Sequence, residues 1–152
     1  IFTAARAAEP EPRYATPWSA ELAARAARWV PARFRDRLSQ GLVFVPSQDH
    51  CIDVYPRAAF ERRVAELRGL PREDAGARGY LRMLLAGAHE EVPDGQGRVT
   101  IPPRLRSYAG LDKDLTINGA DDRLEIWDRE RWEAYLSGIE EGFATLDAPF
   151  ER

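Results

Sequence analysis

Apolar positions in this chain fall into two units with the same order, a strand pair followed by a helix. "LVFV" (Leu42–Val45) is a short apolar run, "PSQD" a polar turn, and "CIDVY" (Cys51–Tyr55) a second run, which together predict a hairpin. Pro56 follows where a first helical residue tolerates proline. Phe60, Val64 and Leu67 then recur at i, i+4 and i+7, predicting a helix to about Gly69. A second helix is predicted from about Arg72 to Ala88, with Leu81, Leu84, Leu85 and Ala88 on one side, ended by Gly87 and Pro93. The first pattern then returns. "RVTI" (Arg98–Ile101) predicts a strand, and Pro102 and Pro103 stop it and open a short helical turn through Arg104 to Tyr108. "LTI" (Leu115–Ile117), the turn "NGADD" and "RLEIW" (Arg123–Trp127) predict a second hairpin. Asp128 is then placed to cap a helix whose Trp132, Leu136 and Ile139 share one face.

The two units answer each other residue by residue. "VYPRAAF" (Val54–Phe60) matches "IWDRERW" (Ile126–Trp132) at an offset of 72 (132 − 60), and "VPARFRD" from Val30 matches the Pro-x-Arg-x-Arg of Pro102, Arg104 and Arg106 at an offset of 71 (102 − 31). The one-residue change falls in a turn-like stretch, where insertions are tolerated. Two copies are too few for a solenoid and suggest a pseudo-twofold barrel in which each half completes the other. The division expected is an Ala/Pro/Arg-rich arm over 1–27, a first half-repeat with helices over 28–89, and a second half-repeat with a C-terminal helix over 90–152. The arm reads as flexible, or as a short helix capped by Ser19 with Leu22, Ala26 and Trp29 on one face.

Composition narrows the function classes. The chain has 152 residues, 44% hydrophobic and 31% charged, ordinary values for a globular protein. No apolar run approaches the ~20 residues of a membrane helix, and the opening "IFTAARAAEPEP" lacks the long apolar core of a secretory signal. No Met opens the chain, which reads as processed, tagged or partial. The single cysteine, Cys51, excludes an internal disulfide framework and fits a reducing cytoplasm. One Cys and two His give no zinc spacing, and "HEE" (His89–Glu91) lacks the second His of a helical metalloprotease motif. No base and nucleophile converge, so an enzyme is not expected, and neither a cofactor nor a small-molecule substrate is implied.

Net charge is −3, which by itself argues against a nucleic-acid binder, but the stretch Pro93–Arg106 holds one acid and three arginines. Gly97 permits a close backbone approach beside Arg98, whose planar fork suits phosphate or a base edge. The alternative is a structural turn closed by an Asp94–Arg98 pair, and the two roles are compatible if Asp94 orients Arg98. Arg104 and Arg106, matched by Arg33 and Arg35, read either as a cationic strip or as a solvated helix face with subunit salt bridges. Arg123 opens a return strand away from this region. Trp127, Trp132 and Tyr135 read as core, and base stacking is the weaker alternative.

"GRVTIPPRLR", the double copy in one chain, "SQDHCIDVYPRAAFE" and "DRLEIWDRERWEAY" together resemble the MraZ family. These are bacterial transcriptional regulators of the division and cell-wall gene cluster, within the AbrB-like (SpoVT-AbrB) superfamily of swapped-hairpin β-barrels. The resemblance covers roughly Val30 to Phe143. It implies an α+β fold, a double AbrB-like swapped-hairpin β-barrel with a pseudo-twofold repeat and flanking helices. It further implies ring-shaped homo-oligomers, binding to direct repeats in promoter double-stranded DNA, and a cytoplasmic, nucleoid-associated protein. The family's Asp-x-x-x-Arg signature falls on Asp94 and Arg98, with Gly97 between them. The sequence departs from the family before Pro31. Ala23, Ala26 and Ala27 stand where Asp, Gly and Arg would fall, and Arg28 replaces the missing Arg only if one deletion is allowed. Without a gap Arg28 matches Val99, on the face expected to be buried. Either the first site has been lost, or the text before about Trp29 is not the natural sequence, as a frame shift in a GC-rich gene would produce. A lost site leaves a second function open: a ring-forming or antitoxin-like protein-interaction module whose DNA site has decayed.

Overall fold

A computed structural model describes the backbone of residues 2–3 and 16–19, and residues 38–71, 73–95, 98–120 and 122–143. The elements are β1 (Phe2–Thr3), β2 (Thr16–Ser19), β3 (Leu42–Pro46), β4 (Ile52–Pro56), α1 (Arg57–Arg68), α2 (Ala75–Gly87), β5 (His89–Glu91), α3 (Pro103–Ala109), β6 (Asp114–Ala120), β7 (Arg123–Asp128) and α4 (Arg129–Phe143). The class is α+β. One antiparallel sheet runs β1-β6-β7-β4-β3-β5, with β2 also on β6. No helix among the described residues is long and apolar enough to cross a membrane.

The strands β3, β4, β6 and β7 are buried on both faces because each face meets a different core. Leu42 and Phe44 of β3, Ile52 and Val54 of β4, Leu115 and Ile117 of β6, and Leu124 and Ile126 of β7 point inward to one cluster, closed by Val99, Ile101, Leu105 and Ala109. On the outer face Val43, Val45 and Tyr55 meet Phe60, Val64 and Leu67 of α1 and Leu84 of α2. Further along that face, Cys51 and Trp127 meet Trp132, with Leu136 against them. Side-chain alternation along a strand explains the division.

The register shows how the halves are joined. β4 pairs with β7 through Ile52↔Ile126, Asp53↔Glu125 and Val54↔Leu124. Adding 72 to one member of each pair and subtracting it from the other returns the same three pairs, with Asp53 and Glu125 exchanging places at the centre. The outer packing follows the same offset. Tyr55 and Phe60 have ring centroids 6.2 Å apart, and their counterparts Trp127 and Trp132 lie 5.4 Å apart, edge to face.

The ends of the elements follow from local chemistry. Pro56 sits at the N-cap of α1 and has no capping side chain, and the first helical N–H, of Arg57, donates instead to the Gly41 carbonyl. Asp74 caps α2 by accepting from the N–H groups of Gly76 and Ala77, so the helix opens at Ala75, later than the apolar pattern predicts. Asp128 accepts from the Arg131 N–H at 3.2 Å, as expected of a cap. Gly110, at φ 60°, ends α3 in the left-handed region.

Two readings are corrected. Arg98–Ile101 alternates as a strand should, with Val99 and Ile101 in the core and Arg98 and Thr100 exposed, yet it joins no ladder. Its backbone donors go to carboxylates: the Arg98 N–H to Asp94 Oδ1 and the Thr100 N–H to Glu91 Oε1. β5 was not expected, because three polar residues show no alternation; it forms by adding to the open edge of β3. Ser19 is the last residue of β2, and the helix it was expected to cap lies outside the described residues. Leu22, Ala26 and Trp29 lie outside the described residues.

Candidate nucleic-acid interface

The segment after β5 turns back on itself between Asp94 and Arg98. The Asp94 N–H donates to the Arg98 carbonyl at 2.9 Å, and Asp94 Oδ1 accepts from the Arg98 N–H at 2.9 Å. The other carboxylate oxygen, Oδ2, accepts from Arg98 Nε at 2.6 Å. One aspartate therefore closes the turn and grips the guanidinium from behind. The Arg98 side chain stays 43% exposed. Among the described residues its two Nη groups have no partner, so the end of the fork that suits a bidentate acceptor faces outward. Val99, next along the chain, is buried, and anchors this turn to the core. Gly97, the residue expected to let the backbone approach, lies outside the described residues, as do Arg28, Arg33 and Arg35.

Arg104 and Arg106 do not form a strip. Both lie on α3, whose Leu105 and Ala109 are buried. Two residues on an α-helix are separated by about 200° around its axis, so the arginines leave on different sides. Arg104 Nη1 donates to the Ala86 carbonyl at 3.3 Å, near the end of α2. Arg106 is half-buried and sits in the last turn, where a cation complements the helix dipole. Tyr108 of the same helix donates its hydroxyl to the Ser47 carbonyl at 2.6 Å and stacks on His50 at 5.2 Å. His50, in the β3–β4 turn, has a φ of 56°, in the left-handed region.

A second charged cluster lies on the outer face where β4 meets β7, and sequence reasoning missed it. Asp53 and Glu125 sit directly opposite each other. Arg123 lies between them, with Nε 3.3 Å from Asp53 Oδ1 and Nη2 3.1 Å from Glu125 Oε1. Glu125 Oε2 also accepts from Trp127 Nε1 at 3.1 Å. The Nε–Oδ1 approach is an ion pair without hydrogen-bond geometry, and both atoms are buried with no hydrogen-bond partner. Burial pushes the Asp53 carboxyl up to about 6, against the pull of Arg123 and with the help of Glu125. Burial works against the charge on Arg123 too, but Asp53, Tyr55 and Glu125 outweigh it and raise that guanidinium. The Arg123 guanidinium also lies 5.9 Å from the Tyr55 ring centre. Arg123 is thus a structural ion-pair centre, away from the Asp94–Arg98 turn. The only signal in the sequence was the offset, which sets Asp53 against Glu125.

The aromatic residues are accounted for by packing. Trp127 and Trp132 are buried, and Tyr135, though exposed, packs its ring tilted against Trp127 with centroids 4.9 Å apart. Burial raises the Cys51 thiol, which suits an inert core position. No group of metal-ligating side chains occurs among the described residues.

Comparison with known proteins agrees with the repeat. The family described as "MraZ protein, putative antitoxin-like" matches the chain twice, over residues 29–83 and 84–149. The first match opens beside the point where the first motif copy breaks down. Relatives named "Transcriptional regulator MraZ" align over most of the chain. The one from Salinispora arenicola (strain CNS-205) is 49% identical over 118 residues, covering 78% of this chain and 83% of the relative. The one from Leifsonia xyli subsp. xyli is 49% identical over 118 residues, covering 78% and 82%. The one from Kineococcus radiotolerans is 48% identical over 115 residues, covering 76% and 80%. With two family matches spanning most of its length and relatives near half identity, the chain belongs to the MraZ family.

Proposed function

We propose that this protein is a sequence-specific DNA-binding regulator of transcription, not an enzyme. In this reading it acts on promoter direct repeats of the division and cell-wall gene cluster, as a ring-shaped homo-oligomer associated with the nucleoid in the cytoplasm. The observation that carries the reading is the Asp94–Arg98 turn, which presents a guanidinium gripped at Nε with its Nη groups outward. Arg98 is the DNA contact, Gly97 gives the backbone its approach, and Asp94 orients the fork. Arg106 and Arg104 supply cationic support from separate sides of α3, and Arg28, Arg33 and Arg35 do so from the first half. The names of the relatives favour regulation of transcription. The self-returning β4–β7 register favours a double AbrB-like swapped-hairpin barrel with a pseudo-twofold axis at Asp53 and Glu125, built from half-repeats 28–89 and 90–152.

The test is a gel shift with one and with three promoter repeats over a salt series, using Arg98→Ala beside Lys113→Ala as an exposed control. Loss of one phosphate or base contact costs about 1–3 kcal/mol per site, and a ring multiplies the loss over several repeats. Arg98→Ala is expected to lose three-repeat binding most, to lower the salt slope if the contact is to phosphate, and to keep its assembled size. Binding equal to the parent removes Arg98 from the interface. The departure before Pro31 supports a second reading, an interaction module whose DNA site has decayed. Failure of the parent to bind any duplex at low salt would favour that module.

A further inference from the structure

The helices α1 and α4 occupy equivalent places in the two halves, yet only one of them is covered along its whole length. On α1 the apolar stripe runs Phe60, Val64, Leu67, and its far end is closed by α2, leaving Leu67 9% exposed. On α4 the same stripe, 72 residues later, runs Trp132, Leu136, Ile139. Its near end is covered by Cys51 and Trp127. Its far end is open, with Ile139 38% and Phe143 73% exposed. Glu140 and Glu141 flank this open end.

A surface of complementary character lies between α1 and α2. A groove of about 370 Å³ is lined by Leu67, Leu70 and Leu81 together with Arg68, Arg78 and Arg82. No acidic residue among the described residues lines it. Leu70 is 44% exposed. The groove is built from the end of α1 and the helix that covers it, the covering that α4 lacks.

We infer that the far end of α4, with Ile139 and Phe143 inward and Glu140 toward the arginines, docks into the α1–α2 groove of a second copy of this chain. Burial of the two apolar side chains drives the contact, and the acid–arginine pairing sets its direction. The two surfaces are different patches of one molecule, so the contact is head-to-tail, and its repetition closes a ring if the rotation allows. The inference rests on the ring reading above and assigns that ring its joint.

The experiment uses the full chain and sedimentation velocity. Leu70→Glu/Arg82→Glu disables the groove, and Ile139→Glu/Phe143→Glu disables the helix end. All four positions are exposed, so circular dichroism is expected to match the parent. Each variant alone is expected to weaken self-association by more than about tenfold and to sediment as a monomer. Mixed in equal amounts they are expected to form a dimer and nothing larger, because one intact groove then meets one intact helix end. A mixture that stays monomeric, or either variant assembling like the parent, overturns the inference and leaves the ring reading standing. A parent that is monomeric at every concentration overturns both. Should either double variant lose its folded spectrum, Arg82→Glu and its repair by Glu140→Arg decide the matter: restored assembly supports the joint, and no restoration overturns it.

Discussion

Replacing Asp94 by asparagine separates charge from position at the candidate interface. The substitution removes one negative charge beside DNA, so simple electrostatics tightens binding to any duplex. It also loosens the grip on Arg98 Nε, the 2.6 Å contact that fixes the fork. The expected outcome of Asp94→Asn is unchanged or tighter binding to random duplex, with discrimination for the promoter repeats reduced about tenfold, roughly 1.4 kcal/mol. Competition gel shifts at fixed salt measure that ratio, and discrimination equal to the parent removes Asp94 from the positioning role. Asp53 has a different consequence. Its carboxyl titrates near 6 in the folded chain against 3.8 as a free group, so the folded state binds the proton more tightly. The resulting stability is fully present below about pH 4 and is lost as pH rises through 6. It amounts to about 3 kcal/mol. Asp53→Asn is expected to flatten this part of the stability–pH curve. Urea melts of parent and variant from pH 4 to 7 give the difference directly, and parallel curves would show that Asp53 carries no such linkage. Of these two sites the sequence displayed the first, because Asp-x-x-x-Arg is local. It concealed the second, since Asp53, Arg123 and Glu125 become neighbours only through strand pairing.

At the scale of elements, local signals were read well where they had one interpretation. Pro56 before a stripe of period 3.6 and Asp128 before Trp132 both mark helix starts, and both helices begin there. The start expected near Arg72 passes over the capping aspartate at Asp74, which opens α2 at Ala75. Asp74→Ala is expected to cost about 1 kcal/mol through loss of two accepted N–H bonds, read as a shift in urea midpoint without a change in slope. The Arg98–Ile101 segment shows the limit of alternation as a signal. Alternation reports which side chains face the core, and Val99 and Ile101 do. It says nothing about where the backbone donors go, and here carboxylates take them. β5 is the converse case, a strand whose pairing to β3 is a matter of edge availability and leaves no trace in its three polar residues.

For the molecule as a whole, the offset of 72 was the most informative number in the sequence, because it fixes which residues occupy equivalent places. Phe60 and Trp132 are equivalent, both are buried, and each anchors its helix to the shared sheet. Phe60→Ala and Trp132→Ala are each expected to cost about 3–5 kcal/mol. Both variants should still unfold in a single transition, since β4 and β7 tie the halves into one ladder. Two separate transitions in either variant would show the halves to be independent. The central pairing of Asp53 with Glu125 also bears on how such a chain can arise from a shorter ancestor. In the same register, two identical copies of the first half would set Asp53 against Asp53, with Cys51 at the place that Arg123 fills. Two identical copies of the second half would set Glu125 against Glu125 and bring an arginine from each side. The first assembly is a bare pair of buried acids, and the second is electrically balanced. Joining unlike halves in one polypeptide relaxes the demand that a residue be compatible with its own twin. It lets a single arginine serve two acids while the opposite position turns apolar and packs against tryptophan.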